Sequence, residues 1–199
     1  GPASKVTLST PIRFTWTATD SGGSGPAEYV VYARSGTTRT AWTSWTATST
    51  TAAAATRGLT AGQTLCMAVR AIDHSGNVSG LSSARCITRP LDQTAASRDA
   101  HWWTPRASSY YGGTAAATRS HGATLTYSGA RSVTRVAIVT RTGPTAGGIA
   151  VYIGSTRVAN FVLTTNRWHS AVVITSGGFA ARSGTVRFVV TSPTGRYVF

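Results

Sequence analysis

The chain has 199 residues, of which 41% are hydrophobic and 12% are charged. This is enough apolar material for one large domain or for two of about 100 residues. No stretch approaches the ~20 consecutive apolar residues of a transmembrane helix, which excludes a helical membrane protein. The chain holds 19 Lys and Arg but only 5 Asp and Glu, for a net charge of +14. So few carboxylates leave little from which to build a hydrolase carboxylate pair or a calcium site, and we predict a protein without catalytic residues, metal or cofactor.

The first half of the sequence is predicted to consist of short β-strands. Apolar residues alternate with Thr, Ser or Arg over runs that Gly, Pro and Ser clusters separate, which is typical of half-buried strands. The predicted strands are 6–8, 12–18, 28–34, 41–47, 52–58, 64–71 and 84–88. Their number and spacing predict an immunoglobulin-like sandwich. Trp42 and Trp45 fall within one predicted strand, where side chains three apart point to opposite faces.

A domain boundary is predicted next to Pro90, because proline ends the preceding strand and the composition changes after it. Residues 1–92 hold eight Lys and Arg and four Asp and Glu, a net charge of +4, whereas residues 93–199 hold eleven Arg and one acid, a net charge of +10. We therefore predict two domains, 1–91 and 92–199, of which the second is strongly basic.

The second half has the same strand pattern and is predicted to form a second β-sandwich. Its predicted strands are 123–127, 132–140, 148–153, 156–163, 169–174, 184–191 and 196–199. The predicted fold class is therefore all-β, with two sandwiches in tandem.

Cys66 and Cys86 are predicted to form one disulfide, as expected of a protein that is secreted or displayed at the cell surface. The four histidines have no close spacing to one another or to a cysteine, which disfavours a metal site. The sequence starts without Met or an apolar leader, so we expect that a signal peptide has been removed. Gly1-Pro2 is interpreted as the remnant of a cleaved tag.

The segment 59–73 alternates like a strand and ends in an Ala-x-Asp-x-x-Gly-Asn loop that continues through 76–79. Together with Trp16, it resembles the penultimate strand and following loop of fibronectin type III-like domains, over most of the first half of the chain. The resemblance implies that Trp16 is a core residue and that Cys66 and Cys86 lie on adjacent antiparallel strands. A disulfide that closes a loop of this length adds about 3 kcal/mol of stability.

A second resemblance covers the basic half of the chain, at 110–113, 122–125, 136–139, 148–155 and 183–188. These segments resemble carbohydrate-binding-module-like, galactose-binding-like jelly-roll sandwiches of exported actinobacterial proteins. The resemblance implies a sugar or wall-polymer ligand and assigns no residue to it.

Aromatic side chains provide the best candidates for a binding site. Trp102, Trp103, Tyr110 and Tyr111 cluster at the start of the second domain, and flat rings can stack on a pyranose while Arg donates hydrogen bonds to its hydroxyls. Neighbours on a strand point to opposite faces, so one member of each pair should pack inward. The predicted ligand-binding residues are Trp102, Tyr110, Trp168, Arg167 and Arg141.

The arginines of the second domain favour an anionic partner, such as a cell-envelope polymer, bound in a salt-dependent way. The alternative is that dispersed charge reflects coding bias and keeps the protein soluble. No base-stacking motif accompanies the charge, which disfavours nucleic acid.

Two acidic motifs have both a functional and a structural interpretation. Ser97, Asp99 and His101 are close in sequence, but an extended segment does not converge them into a catalytic triad, so catalysis is disfavoured. Asp73 and Asn77, with Asp20, could hold a cation weakly; the favoured alternative is that they fix their own turns.

The sequence thus leads to two functional hypotheses. In the first, the chain is a non-catalytic exported binding module that attaches a larger protein to a polysaccharide or cell-envelope polymer. In the second, it is a structural or adhesive spacer pair that makes protein–protein contacts and has no sugar site. Exposure of the aromatic side chains distinguishes the two.

Overall fold

The structure is a computed structural model that describes residues 4–21 and 23–199. These residues form fourteen β-strands and two short 3-10 turns, with no α-helix among them, so the predicted all-β fold class is confirmed. Contacts divide the chain into two compact units, one ending at Pro90 and one spanning Leu91–Phe199. Within the described ranges we find no helix with the length and apolar character that a bilayer crossing requires. Gly1 and Pro2, interpreted above as a tag remnant, lie outside the described residues.

The first unit pairs its strands into two sheets. The strands are β1 (Ser4–Val6), β2 (Ile12–Thr15), β3 (Pro26–Thr37), β4 (Thr46–Thr50), β5 (Ala54–Arg57), β6 (Gln63–Asp73) and β7 (Arg85–Thr88). A five-stranded sheet has the order β1-β7-β6-β3-β4, in which β1 runs parallel to β7, and a two-stranded sheet pairs β2 with β5.

The core of the first unit lies on one face of its larger sheet. Val31 on β3 and Leu65 and Met67 on β6 are buried there, and Phe14 and Trp16 pack against them. Since side chains alternate along a strand, the even-numbered residues of β3 point to the opposite, outer face.

One predicted strand of the first unit is wrong at its start. Residues 41–45 are irregular, and β4 begins only at Thr46. The connection from β3 folds back on that strand, where Thr43 N donates to Ser35 O at 2.8 Å and Ser35 N donates to Thr43 Oγ1 at 3.0 Å. The strand rule that placed Trp42 and Trp45 on opposite faces therefore does not apply, and both rings lie beside one guanidinium, as described below.

The predicted disulfide is confirmed. Cys66 and Cys86 are bonded to each other, and they are directly opposite in the antiparallel pairing of β6 with β7. Both are buried.

The second unit also consists of two sheets and two short turns. A five-stranded sheet has the order β12-β11-β14-β9-β8, and a two-stranded sheet pairs β10 with β13. The 3-10 turns are Gln93–Ala95 and Tyr111–Gly113. The strands are β8 (Ser97–Arg98), β9 (Thr124–Val133), β10 (Ala137–Thr142), β11 (Gly148–Ile153), β12 (Thr156–Val162), β13 (His169–Thr175) and β14 (Arg182–Val190). Strands β9, β11, β12 and β14 contribute buried side chains to the core of this unit. The side chains of Val151, Leu163, Val190 and Val198 are fully buried.

Two predicted strands of the second unit differ from the structure. The predicted strand 132–140 is interrupted, because β9 ends at Val133 and β10 begins at Ala137. The predicted strand 196–199 forms only isolated bridges, from Val198 to Thr118 and from Tyr197 to Ala146. This last segment lacks a regular ladder, yet it carries two side chains of the candidate site.

Candidate functional site

Four aromatic side chains of the second unit, Tyr110, Trp168, Tyr197 and Phe199, form what we call the aromatic cluster. Tyr197 and Phe199 are stacked, with ring centroids 5.6 Å apart and planes inclined by 12°. Trp168 meets both edge-on, at 6.3 Å from Tyr197 and 6.2 Å from Phe199. Tyr110 lies 6.2 Å from Phe199. Aromatic pairs prefer offset-stacked and edge-to-face arrangements at these separations.

Alternation along the final segment places two of these rings on the same side. Val198 is fully buried in the core, so Tyr197 and Phe199 point away from it. Two backbone hydrogen bonds of 3.0 Å hold the segment, from Tyr197 N to Thr145 O and from Val198 N to Thr118 O. The stacked pair is thus carried by backbone that is anchored on both sides.

Trp168 is positioned by a glycine. A Cβ at Gly143 would overlap Cδ2 and Cε3 of the Trp168 ring, so the indole lies directly on backbone that only glycine leaves open. Gly143 is itself tied down, because its N donates to Leu163 O at 3.1 Å and its O accepts from Thr165 N at 3.2 Å. Trp168 remains 38% exposed, so the ring is both fixed and accessible.

Two guanidinium groups complete the cluster. The Cζ atom of Arg141 lies 4.4 Å from the centroid of the Trp168 ring and 5.4 Å from that of Phe199. The Cζ atom of Arg119 lies 3.9 Å from the Tyr197 centroid. Such cation–π contacts contribute about 0.5–2 kcal/mol each. The Nε–H of Arg141 is buried and has no hydrogen-bond partner in the described part of the chain.

A bulge determines the position of Arg141. The pairing of β10 with β13 shifts register between Thr140 and Thr142, so that two residues of β13 oppose Arg141 alone. One of these two, Ala171, has a φ of 54°, in the left-handed region that non-glycine residues rarely adopt. Bulges bend a strand and re-aim its side chains, and this one lies on the strand that follows Trp168.

The structure brings together three of the five predicted ligand-binding residues: Tyr110, Trp168 and Arg141. Arg167 is exposed next to Trp168 in the chain, and its backbone O accepts from Thr165 Oγ1 at 2.7 Å.

Trp102 is placed elsewhere, because its ring packs against the hydrophobic core of the unit. Its Nε1–H is buried without a partner among the described residues. The adjacent Trp103 is 43% exposed. The two neighbours thus differ in exposure as alternation predicts, with the second of them on the surface.

Sequence reasoning missed three members of the cluster: Arg119, Tyr197 and Phe199. A signal for the last two was present, since they occupy alternate positions of a segment predicted as a strand and so share one face. Arg119 carries no such signal, because its contact with Tyr197 is made by residues far apart in the chain.

The Asp99 carboxylate, which the sequence places near Ser97 and His101, stabilises the backbone. It accepts hydrogen bonds from Thr124 N and Thr124 Oγ1, and from His101 N at 2.9 Å. His101 Nδ1 also lies 3.0 Å from it. Burial raises the pKa of Asp99, but the hydrogen bonds from Thr124 and His101 outweigh this effect and the pKa is lowered overall. Asp99 thus joins the segment after β8 to the start of β9.

The acidic loops of the first unit likewise fix their own turns. Asp73 accepts from Asn77 Nδ2, Asn77 N and Ser75 N at 2.8–2.9 Å, and its hydrogen bond from the Asn77 side chain is the largest effect that lowers its pKa. Asp20 accepts from Ser24 Oγ and Gly25 N. Within residues 4–21 and 23–199, no group of three or more His, Cys, Asp or Glu side chains could hold a metal ion.

No family model matches the chain. The chain is 47% identical over 88 residues, 44% of its length, to endoglucanase B of Cellulomonas fimi. It is 38% identical over 101 residues, 49% of its length, to exoglucanase B of the same species. It spans only 8% of the length of each of these relatives.

Two solved structures are similar to the chain with TM-scores below 0.5. One belongs to a study of carbohydrate-binding modules of the β-sandwich superfamily (TM-score 0.41, 14% identity, covering 99% of this chain and 92% of that chain). The other is α-L-rhamnosidase from Dictyoglumus thermophilum (TM-score 0.36, 12% identity, covering 96% of this chain and 24% of that chain).

Proposed function

We propose that this chain is a non-catalytic module that binds polysaccharide at the aromatic cluster of its second unit and thereby attaches a larger parent protein to a polysaccharide. The proposal rests on one observation: an exposed Trp168, seated on Gly143, is joined by Arg141 to the stacked Tyr197–Phe199 pair.

The cluster has the two chemical features that a pyranose requires. The C–H groups on the face of a sugar ring can stack on an aromatic ring, whereas its equatorial hydroxyls need hydrogen-bond donors and acceptors. Ligand sites of this kind combine aromatic side chains with a few well-placed polar groups. Arg141 lies against the rings and supplies a planar set of N–H donors. The exposed guanidinium of Arg167 is a further donor on the adjacent residue.

The two glucanase relatives support a glucan as the first ligand to test. Their names denote enzymes that act on glucans, and the matched segments are a small fraction of each enzyme. A short segment shared with two different glucanases is consistent with an accessory part rather than with a whole catalytic domain.

The first unit is proposed to be a fibronectin type III-like spacer. Its larger sheet runs β1-β7-β6-β3-β4 and its smaller sheet pairs β2 with β5. The β7-β6-β3-β4 part and the β2–β5 pair match the G-F-C-C′ and B-E pairings of immunoglobulin-like sandwiches. The Cys66–Cys86 disulfide supports a secreted or cell-surface location.

The test is to compare Trp168→Ala and Arg141→Ala with Trp103→Ala in binding to a soluble β-glucan by affinity electrophoresis. Trp103 is a matched control because it lies in the same unit and is 43% exposed, against 38% for Trp168, and it is not one of the four rings of the aromatic cluster. We expect the first two variants to lose at least tenfold in affinity and the control to bind like the original chain.

The salt dependence of binding distinguishes ring stacking on a sugar from general charge attraction. Binding to a neutral glucan should persist at high salt, whereas attraction of the +14 chain to an anionic envelope polymer should weaken as salt is added. If Trp168→Ala and Trp103→Ala behave alike, or if no glycan is retained, the sugar site is refuted and the spacer hypothesis takes its place.

A further inference from the structure

The first unit carries an aromatic surface of its own. The Cζ atom of Arg34 lies 4.8 Å from the centroid of the Trp42 ring and 4.7 Å from that of Trp45. Trp42 is 46% exposed and Trp45 is 40% exposed. We call Trp42, Arg34 and Trp45 the indole–guanidinium surface. Two large rings are thus held at the surface by a single cation.

The core does not require these rings. The core of the first unit is formed on the face of the sheet that carries Val31 and Met67, whereas Arg34 belongs to the alternate set of side chains on β3. On the same outer face, Arg70 lies with its Cζ atom 5.1 Å from the Tyr32 ring centroid. The outer face of the central strands therefore carries two arginines that contact aromatic rings.

The surface is held in place before any ligand binds. Arg34 projects from the long central strand β3, and its Nε–H is buried without a partner in the described part of the chain. A Cβ at Gly36 would lie 3.3 Å from Trp42 Cδ2, so the ring rests closely on that glycine. The hydrogen bonds between Thr43 and Ser35 fix the backbone between the two tryptophans. Rigid rings lose little conformational entropy on binding.

The composition around the rings indicates a hydroxylated ligand. Residues 37–51 contain no Leu, Ile, Val, Met or Phe and no acid, but ten threonine or serine residues, seven of which follow the first tryptophan. Rings flanked by hydroxyls and N–H donors match a sugar chain, whose faces are apolar and whose edges are polar.

We propose that the indole–guanidinium surface is a second polysaccharide-binding surface, located on the first unit and suited to neutral pyranose chains. The ligand stacks on the indole rings and accepts hydrogen bonds from Arg34. Because the guanidinium is engaged by both rings, recognition does not require a carboxylate on the sugar. This proposal stands apart from the site on the second unit, since the two surfaces share no residue.

The experiment compares four full-length proteins: the original chain, Trp42→Ala/Trp45→Ala, Trp168→Ala, and the triple variant. The probes are a soluble β-glucan in affinity electrophoresis and an insoluble β-glucan in a depletion assay. We expect the double variant to lose at least fivefold in affinity, and the triple variant to lose the binding that Trp168→Ala retains. A Val78→Ala/Leu81→Ala variant is the matched control, since these side chains of the same unit are 54% and 52% exposed, and should bind unchanged.

The outcomes separate the two sites. If the double variant binds like the original chain, the second surface is refuted, whatever Trp168→Ala shows. If the double variant alone loses binding, the surface is supported and the site on the second unit fails. If the double variant instead changes the oligomeric state in sedimentation while glucan binding is unchanged, the rings contact a second copy of the chain and the proposal is overturned.

A measurement on the unsubstituted protein covers the case in which the double variant unfolds. Addition of a gluco-oligosaccharide should shift the indole N–H resonances of Trp42 and Trp45 in an NMR titration. Unshifted resonances at saturating sugar would overturn the proposal.

Discussion

The indole of Trp168 lies against the backbone of Gly143 so closely that a Cβ at that position would overlap two of its ring carbons. The same ring is covered by the guanidinium of Arg141 at 4.4 Å. A tryptophan confined by backbone and by a cation has few alternative rotamers, which makes it a preorganised binding element.

Gly143→Ala is therefore expected to displace the Trp168 ring, although the arginines beside the aromatic cluster are not substituted. Overpacking of this kind costs about 1–3 kcal/mol when the neighbour cannot move; here the ring is partly exposed and is expected to swing out. We expect a shifted Trp168 indole N–H resonance and about tenfold weaker glucan binding.

Gly177→Ala is the control for this change, because nothing lies within 4 Å of a Cβ at Gly177. It should leave both the resonance and the affinity unchanged. A Gly143→Ala protein with an unmoved Trp168 resonance would show that the ring does not depend on this glycine.

The left-handed conformation of Ala171 leads to a stability prediction. At a φ of 54°, glycine avoids a steric cost of about 1–2 kcal/mol that alanine bears, and this gain exceeds the ~0.5–1 kcal/mol of extra unfolded-state entropy. Ala171→Gly should raise the free energy of unfolding of the second unit by about 0.5 kcal/mol in urea titrations. The same change at Ala137, an exposed residue of β10, should lower it. Equal destabilisation at both positions would refute the argument.

Removal of the disulfide should lower the stability of the first unit against unfolding. The bond closes a separation of 20 residues, for which unfolded-chain entropy predicts about 3 kcal/mol. Cys66→Ser/Cys86→Ser, or reduction of the original chain, should lower the free energy of unfolding of the first unit by that amount in urea titrations. The second unit holds no cysteine, so its transition should not move; a shift of both transitions by reduction would contradict this assignment.

Asp99 should make the second unit sensitive to acid. Its folded pKa lies below the ordinary value of 3.8, so its carboxylate stabilises the folded state above that value, and this contribution is lost as the pH falls through the lowered folded pKa. Asp99→Asn should lower the free energy of unfolding of the second unit by about 1–2 kcal/mol near neutral pH, because hydrogen bonds to a charged group are lost. It should also make this free energy depend less on pH in the acid range. Asp73→Asn is the control, since Asp73 also has a lowered pKa but belongs to the first unit. An unchanged pH profile in Asp99→Asn would refute the role of this carboxylate.

Much of the fold could be predicted because it depends on local patterns. Alternation of apolar and polar residues located most of the strands, and β11 agrees with its prediction residue for residue at Gly148–Ile153. The prediction failed where tertiary hydrogen bonds override the pattern. The segment with Trp42 and Trp45 alternates like a strand, yet the bonds between Thr43 and Ser35 fold it back onto β3.

The candidate site was only partly predictable. Tyr110, Trp168 and Arg141 could be proposed from residue type alone, because aromatic rings and guanidinium groups recur in ligand sites. Arg119 and the position of Trp102 could not, since burial depends on which side of a segment meets the core. Nothing local distinguishes Trp102 from Trp103.

The sequence by itself determined the all-β class, the disulfide and the uneven distribution of charge, because strand periodicity, cysteine number and arginine count are properties of the chain as written. Only the tertiary structure decided which rings meet. Tyr110, Arg141, Trp168 and Phe199 come from separate segments, and their contacts depend on long-range strand pairing, on the bulge opposite Arg141 and on the open backbone at Gly143. Such contacts are set by packing between distant segments, to which no local pattern is sensitive.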